Sequence, residues 1–164
     1  MKKAKFIRVS LLVLSILFIG AQAIRPDKTN PTVVTADTMP ARLHVPPGVE
    51  TVLRRACYDC HSHQTQWPWY SHIAPASWLL IDHVNDGRRH LNFSAWAQYD
   101  AKKAGRKLEE ICEEIEAGAM PLRSYLALHP RARLSAQEVQ ALCDWANEER
   151  TRIGYEMEGQ EGRR

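Results

Sequence analysis

Cys57-Tyr58-Asp59-Cys60-His61 is the stretch on which the reading of this chain turns. It sets two thiols three positions apart and an imidazole directly after the second. Three kinds of chemistry use cysteines at that spacing, beside a plain disulfide or a chance match, and the surroundings choose among them. A thioredoxin-like redox pair sits in a βαβ context, but no window of this sequence shows sustained strand alternation. A structural zinc site built on Cys57, Cys60 and His61 or His63 needs a second ligand pair at the usual distance, and none follows. The remaining reading of C-x-x-C-H depends on the compartment in which the chain folds.

The N-terminus supplies that compartment. Lys2, Lys3, Lys5 and Arg8 precede an uncharged, mostly apolar run from Val9 to Ile19, followed by Gly20-Ala21-Gln22-Ala23. A basic start, an apolar centre and an A-x-A ending form the pattern of a secretory signal peptide, with cleavage expected after Ala23. The alternative is an uncleaved anchor from Val9 to Ile24, slightly shorter than the roughly 20 residues that usually span a bilayer. In both readings the basic end stays in the cytoplasm and the rest is exported. The expected location is therefore periplasmic, either soluble or tethered to the inner membrane.

This segment also explains the charge. The 164 residues include 22 Lys and Arg against 19 Asp and Glu, a net charge of +3. Residues 1–23 hold four of the basic side chains and no acidic one, so the remainder carries −1. The case for a nucleic-acid partner goes with it, and Arg88-Arg89 and Lys102-Lys103 read as solvated faces.

In an exported chain, C-x-x-C-H is the attachment signature of a c-type haem. The x-x gap spans the distance between two vinyl groups, and His61 follows as the axial ligand beneath the iron. One covalently attached haem is expected. The second axial ligand is expected to be Met120. Met1 is the initiator, Met39 lies in an N-terminal arm and Met157 in the charged tail. Met120 follows a helix end, and Pro121 stiffens its loop. A core-filling methionine is the plain alternative. His129, ahead of Pro130, is the main histidine rival among His44, His63, His72, His83, His90 and His129.

The rest of the sequence reads as helices joined by irregular loops, an all-α domain. Residues 24–46, with Pro26, Pro31, Pro40 and Pro46, read as an extended tether. The haem-binding domain is placed at 47–154 and a charged tail at 155–164. Val49, Val52, Leu53 and Ala56 make one face of a helix that ends at Cys57. A second helix is expected from Pro75, with Trp78 to Val84 as its apolar content and Gly87 as its stop. Ser94 is expected to cap a third helical stretch toward Gly118. In that stretch Lys102, Lys103, Arg106 and Lys107 precede Glu109 to Glu116, against the helix dipole. A break near Asp100–Gly105 would relieve part of that conflict, with Gly118 as the C-cap. Ser135-Ala136-Gln137-Glu138 is a capping box opening the last helix, expected to bury Val139, Leu142, Cys143 and Ala146 until about Gly154.

Trp67-Pro68-Trp69-Tyr70, closed by Trp78 and Trp96, is read as packing beside the porphyrin, with ordinary core packing as an equal alternative. A carbonyl near Pro68 or Pro75 is expected to accept the His61 Nδ1 proton. Cys112 and Cys143 fall on buried faces, where a disulfide is permitted; the reading favours two free thiols.

Several blocks together resemble a known family. Cys57-Tyr58-Asp59-Cys60-His61-Ser62, Trp67-Pro68-Trp69-Tyr70-Ser71, Ala74-Pro75-x-Ser77-Trp78, Leu91-Asn92-Phe93-Ser94-x-Trp96, Met120-Pro121, Ser124-Tyr125 and Leu128-His129-Pro130 are similar to the bacterial haem-binding domain family of small exported c-type cytochromes. The likeness runs from about Pro46 to Arg150. It implies one covalent haem and a cytochrome c-like fold whose first and last helices cross. It also favours Met120, where the family shows Met-Pro-Pro and this chain has Leu122 in place of the second proline.

The expected function is that of a monohaem electron carrier with His61 and Met120 on the iron, exchanging electrons with a protein or membrane complex. No catalytic residue is assigned. The alternatives are a sensor or peroxidase-like enzyme with a displaceable distal ligand, with His129 or Arg123 nearby, and a haem-bearing subunit of a membrane complex.

Overall fold

A computed structural model describes residues 2–161, with side chains from Lys2 through Gly154. Met1 and the side chain of Met157 lie outside the described residues, as do all side chains of the tail at 155–164. Every regular element among them is helical: α1 (Lys2–Ala21), α2 (Met39–Arg42), α3 (Pro47–Ala56), α4 (Tyr58–His61), α5 (Ala76–His90), α6 (Ala101–Glu116), α7 (Arg123–Leu128) and α8 (Ala136–Glu161), with short 3-10 turns between them. The all-α expectation holds.

The core lies between α3, α6 and α8. Leu53, Leu108, Leu142 and Ala146 are fully buried there, with Ile111, Ile115 and Trp145 around them. In α3, Pro47 supplies the fixed φ suited to a first turn, and Val49, Leu53 and Ala56 face inward. Arg55 of α3 meets Glu138 of α8 at 2.6 Å, so the first and last helices of the domain touch at their ends. The largest interface joins α6 to α8.

The α8 capping box forms as read. Ser135 N donates to Glu138 Oε2 at 2.8 Å, and Glu138 N donates to Ser135 Oγ at 3.2 Å. The helix does not stop near Gly154 but continues to Glu161. α6 begins at Ala101, with Asp100 capping Lys103 N at 2.7 Å, and runs unbroken through Gly105. The break therefore falls just ahead of it, after the 3-10 turn Phe93–Gln98, which Asn92 rather than Ser94 caps. The dipole conflict stays inside one helix. It is offset locally by Lys103 over the Tyr99 ring and by Arg106 and Lys107 paired with Glu110. Gly118, at φ +65°, closes α6 as expected.

Two expectations change. Cys112 of α6 and Cys143 of α8 are bonded, not free. The close α6–α8 packing brings their Cα atoms to 5.0 Å, a separation a disulfide bridges readily. Residues 24–46 are more than an extended tether. Met39 is wholly buried and Leu43 nearly so, both within the core. Upstream, Arg88 donates to Thr29 O and Asn30 Oδ1, each at 2.8 Å, and Asn30 Nδ2 donates to Thr65 O at 2.8 Å. The Arg88 guanidinium also donates to Ser62 O and Thr65 Oγ1, so one side chain ties the arm to the loop after the cysteine turn.

Candidate functional site

α3 ends at Cys57, whose N–H donates to Leu53 O at 2.9 Å, and the chain enters the single turn α4. Cys57 and Cys60 are both free and half-buried on that turn. Burial pushes the Cys57 thiol up to about 12 and the Cys60 thiol up to about 11, with Asp59 adding to the second. Both stay protonated, unlike the low-pKa thiolates of a redox pair.

His61 is held from behind. Its Nδ1 lies 3.0 Å from Gly87 O and 3.1 Å from Leu91 O, two carbonyls at the C-terminal end of α5. A carbonyl can only accept, so Nδ1 carries the proton and Nε2 keeps its lone pair. Burial lowers the basicity of the ring, which favours this neutral form. The expected carbonyl near Pro68 or Pro75 is thus replaced by a pair some 12 or more residues further on. Gly87 O also accepts from Leu91 N at 2.8 Å and offers its second lone pair to His61, while Leu91 O lies just past the helix end.

Gly87 has a second role. A Cβ there would stand 2.6 Å from Cys60 O, so only glycine lets α5 approach the cysteine turn so closely. Gly87 is not the helix stop expected from the sequence, and α5 runs on to His90. The signal in the sequence is a lone glycine inside a helical stretch, which points to a packing reason for it.

Phe93, 1% exposed, stacks on Tyr58 at 5.2 Å and lies 6.2 Å from the His61 ring. The tryptophans divide, and Trp96 follows the core-packing alternative. Trp69 is 72% exposed, Trp96 is a core residue edge-on to Tyr99, and Trp78 donates to Ile24 O at 2.8 Å.

Met120 is half-buried against the same core cluster that receives Cys57 and Leu91. Gly118 turns the chain back after α6, and the N–H groups of Ala119 and Met120 both donate to Glu114 O. Past Pro121, α7 returns to the motif, where Tyr125 donates to Asp59 Oδ2 at 2.7 Å. Asp59 Oδ1 accepts from Gln66 N at 2.9 Å, so both carboxylate oxygens are engaged. His129 stacks on Tyr125 at 4.1 Å, and its Nδ1 lies 3.2 Å from Tyr125 O. The second residue of the C-x-x-C gap is therefore the fastening point of the Met120 segment. Sequence reading assigned no role to Asp59, because nothing local marks a bond to a residue 66 positions away.

The residues suit a covalently bound haem. Two reduced thiols share one turn, while the chain's other two cysteines are bonded to each other. The adjacent imidazole offers Nε2, and a glycine makes room behind the turn. An all-helical domain with a reduced C-x-x-C-H and an oriented histidine defines the class of helical haem proteins. Residues 16–148 match the model of the haem-binding domain family, and the chain belongs to that family. No curated protein and no solved structure matches the chain significantly.

Proposed function

We propose that this protein is a periplasmic monohaem c-type cytochrome that carries electrons. Cys57 and Cys60 would hold the haem through thioethers, and His61 and Met120 would bind its iron. Family membership supports the cofactor. The observation that carries the finer reading is the paired carbonyl grip of Gly87 and Leu91 on His61 Nδ1, which fixes the tautomer a proximal ligand needs.

When bound, the haem supplies one-electron exchange at its iron, at a potential that a methionine ligand raises. The chain's own part is to hold His61 neutral and oriented, to keep both thiols on one turn, and to fasten the Met120 loop through Tyr125 and Asp59. A site whose ligands are held in place before and after electron transfer suits a carrier, since little has to move. The partner would be a redox protein or membrane complex.

The test uses chain matured in cells competent for cytochrome c assembly. Haem is expected to remain attached after acid–acetone extraction. The oxidised protein is expected to show the weak far-red absorption band of a thioether–ferric bond, lost in Met120→Ala. Complete extraction of the haem would defeat covalent attachment. A high-spin spectrum in the unaltered protein would defeat the carrier reading.

A further inference from the structure

By length and composition α1 can cross a membrane, and none of it is buried against the domain. Its C-terminal end, however, is fitted to the domain. Gln22 Nε2 donates to Ala74 O at 3.2 Å, and Ala74 N donates to Gln22 Oε1 at 3.0 Å. Two residues on, Ile24 O accepts from Trp78 Nε1 at 2.8 Å. Lys28 then reaches Ser71 Oγ at 3.4 Å and His72 Nδ1 at 2.8 Å. A leader destined for removal has no reason to match the backbone of the domain it leaves. The family match, moreover, begins at Ile16, inside α1.

The surface around this junction is apolar. Among the described side chains, six large apolar ones are exposed outside α1: Ile24, Val34, Trp69, Ile73, Leu79 and Leu128. Four of them, Ile24, Trp69, Ile73 and Leu79, lie within five residues of the bonds that hold the end of α1. Among the described residues Trp69 is left 72% exposed and Leu79 55%. Tryptophan is enriched where a bilayer meets water, since its ring is apolar and its N–H is not. Arg25 and Lys28 follow the helix end and put positive charge at headgroup level.

We propose that α1 is retained as a membrane anchor, and that the domain rests on the outer surface of the bilayer through Ile24, Trp69, Ile73 and Leu79, with the Gln22–Ala74 pair fixing its orientation. The 20 residues of α1 span about 30 Å, the thickness of the hydrocarbon layer, with the basic residues at its start reaching back to the cytoplasmic headgroups. α5 then acts as a spacer. Its first turn carries Trp78 and Leu79 at the membrane, and nine residues on, Gly87 holds His61. The candidate iron site therefore stands no more than about 14 Å further along the α5 axis. Only this last consequence rests on the haem reading; the anchoring and the docked face do not.

The test reconstitutes the full chain in vesicles of phosphatidylethanolamine and phosphatidylglycerol doped with a phospholipid bearing a photoactivatable diazirine near its glycerol. After irradiation, labelled peptides are mapped by mass spectrometry. N-terminal sequencing of the chain isolated from cell membranes is expected to show residues 2–23 retained, and in the vesicles labels are expected on residues 69–79 as well as on α1. In Gln22→Ala, labelling of 69–79 relative to α1 is expected to fall about ten-fold, the factor corresponding to about 1.4 kcal/mol for the lost pair. Far-UV circular dichroism confirms that the variant keeps its helices. A cellular chain starting at Ile24, labels confined to α1, or unchanged labelling in Gln22→Ala would each overturn the proposal. None of these readouts involves haem, so they stand apart from the test of the carrier reading.

Discussion

Gly87 and Asp59 show how single atoms tie distant parts of this molecule to the cysteine turn. In Gly87→Ala the new methyl group meets backbone at Cys60, which cannot rotate aside. α5 must retreat, and with it the carbonyls of Gly87 and Leu91. Overpacking of this kind costs about 1–3 kcal/mol, so a lowered midpoint in thermal unfolding is expected, together with reduced haem incorporation. Tyr125→Phe removes the hydroxyl that Asp59 accepts. A hydrogen bond to a charged group contributes about 1.5–3 kcal/mol, and burial together with the Asp59 carboxylate holds the Tyr125 phenol well above its usual pKa. Urea unfolding is expected to show a loss of that size at neutral pH. If Met120 binds the iron, the thioether band also weakens in this variant, because α7 no longer fastens the loop. These bonds were invisible in the sequence for a simple reason. Periodicity reports which face of a helix is buried, but not which polar atom across the molecule it will meet.

Among the elements, α8 was the most legible, since its capping box is local chemistry within four residues. Glu138 is held below the ordinary carboxylate value of 4.5, first by the Ser135 N–H and then by Arg55. A carboxyl with a lowered folded pKa stabilises above its unfolded value, and that stability is lost as pH falls through the folded value. Glu138→Ala is therefore expected to cost about 1 kcal/mol at pH 7. The gap to the unaltered protein should close below about pH 4, a trend that thermal unfolding across pH measures directly. By contrast, the extent of α5 was misjudged. Glycine ordinarily weakens a helix interior, and what keeps Gly87 inside one is the Cys60 backbone packed against it.

For the molecule as a whole, the bond between Cys112 and Cys143 closes a loop of 31 residues around α7 and joins the two largest core helices. Cross-links of that span restrict the unfolded chain by about 3–4 kcal/mol. Replacing both cysteines by alanine is expected to lower the urea midpoint accordingly, without altering attachment at Cys57 and Cys60. The N-terminal arm belongs to the same scale. Met39 enters the core and Arg88 straps residues 29 and 30, so the domain is broader than its helical pattern suggested. The amino-acid sequence by itself determined the all-helical class, the cysteine turn with its histidine, the α8 cap and the Gly118 turn, because each is encoded in spacings of a few residues. Tertiary structure alone decided the carbonyls behind His61, the tether from Tyr125 to Asp59, the disulfide, the buried arm and the seating of Gln22 on Ala74. Each of these joins atoms far apart in the chain, and only packing brings them within reach of one another.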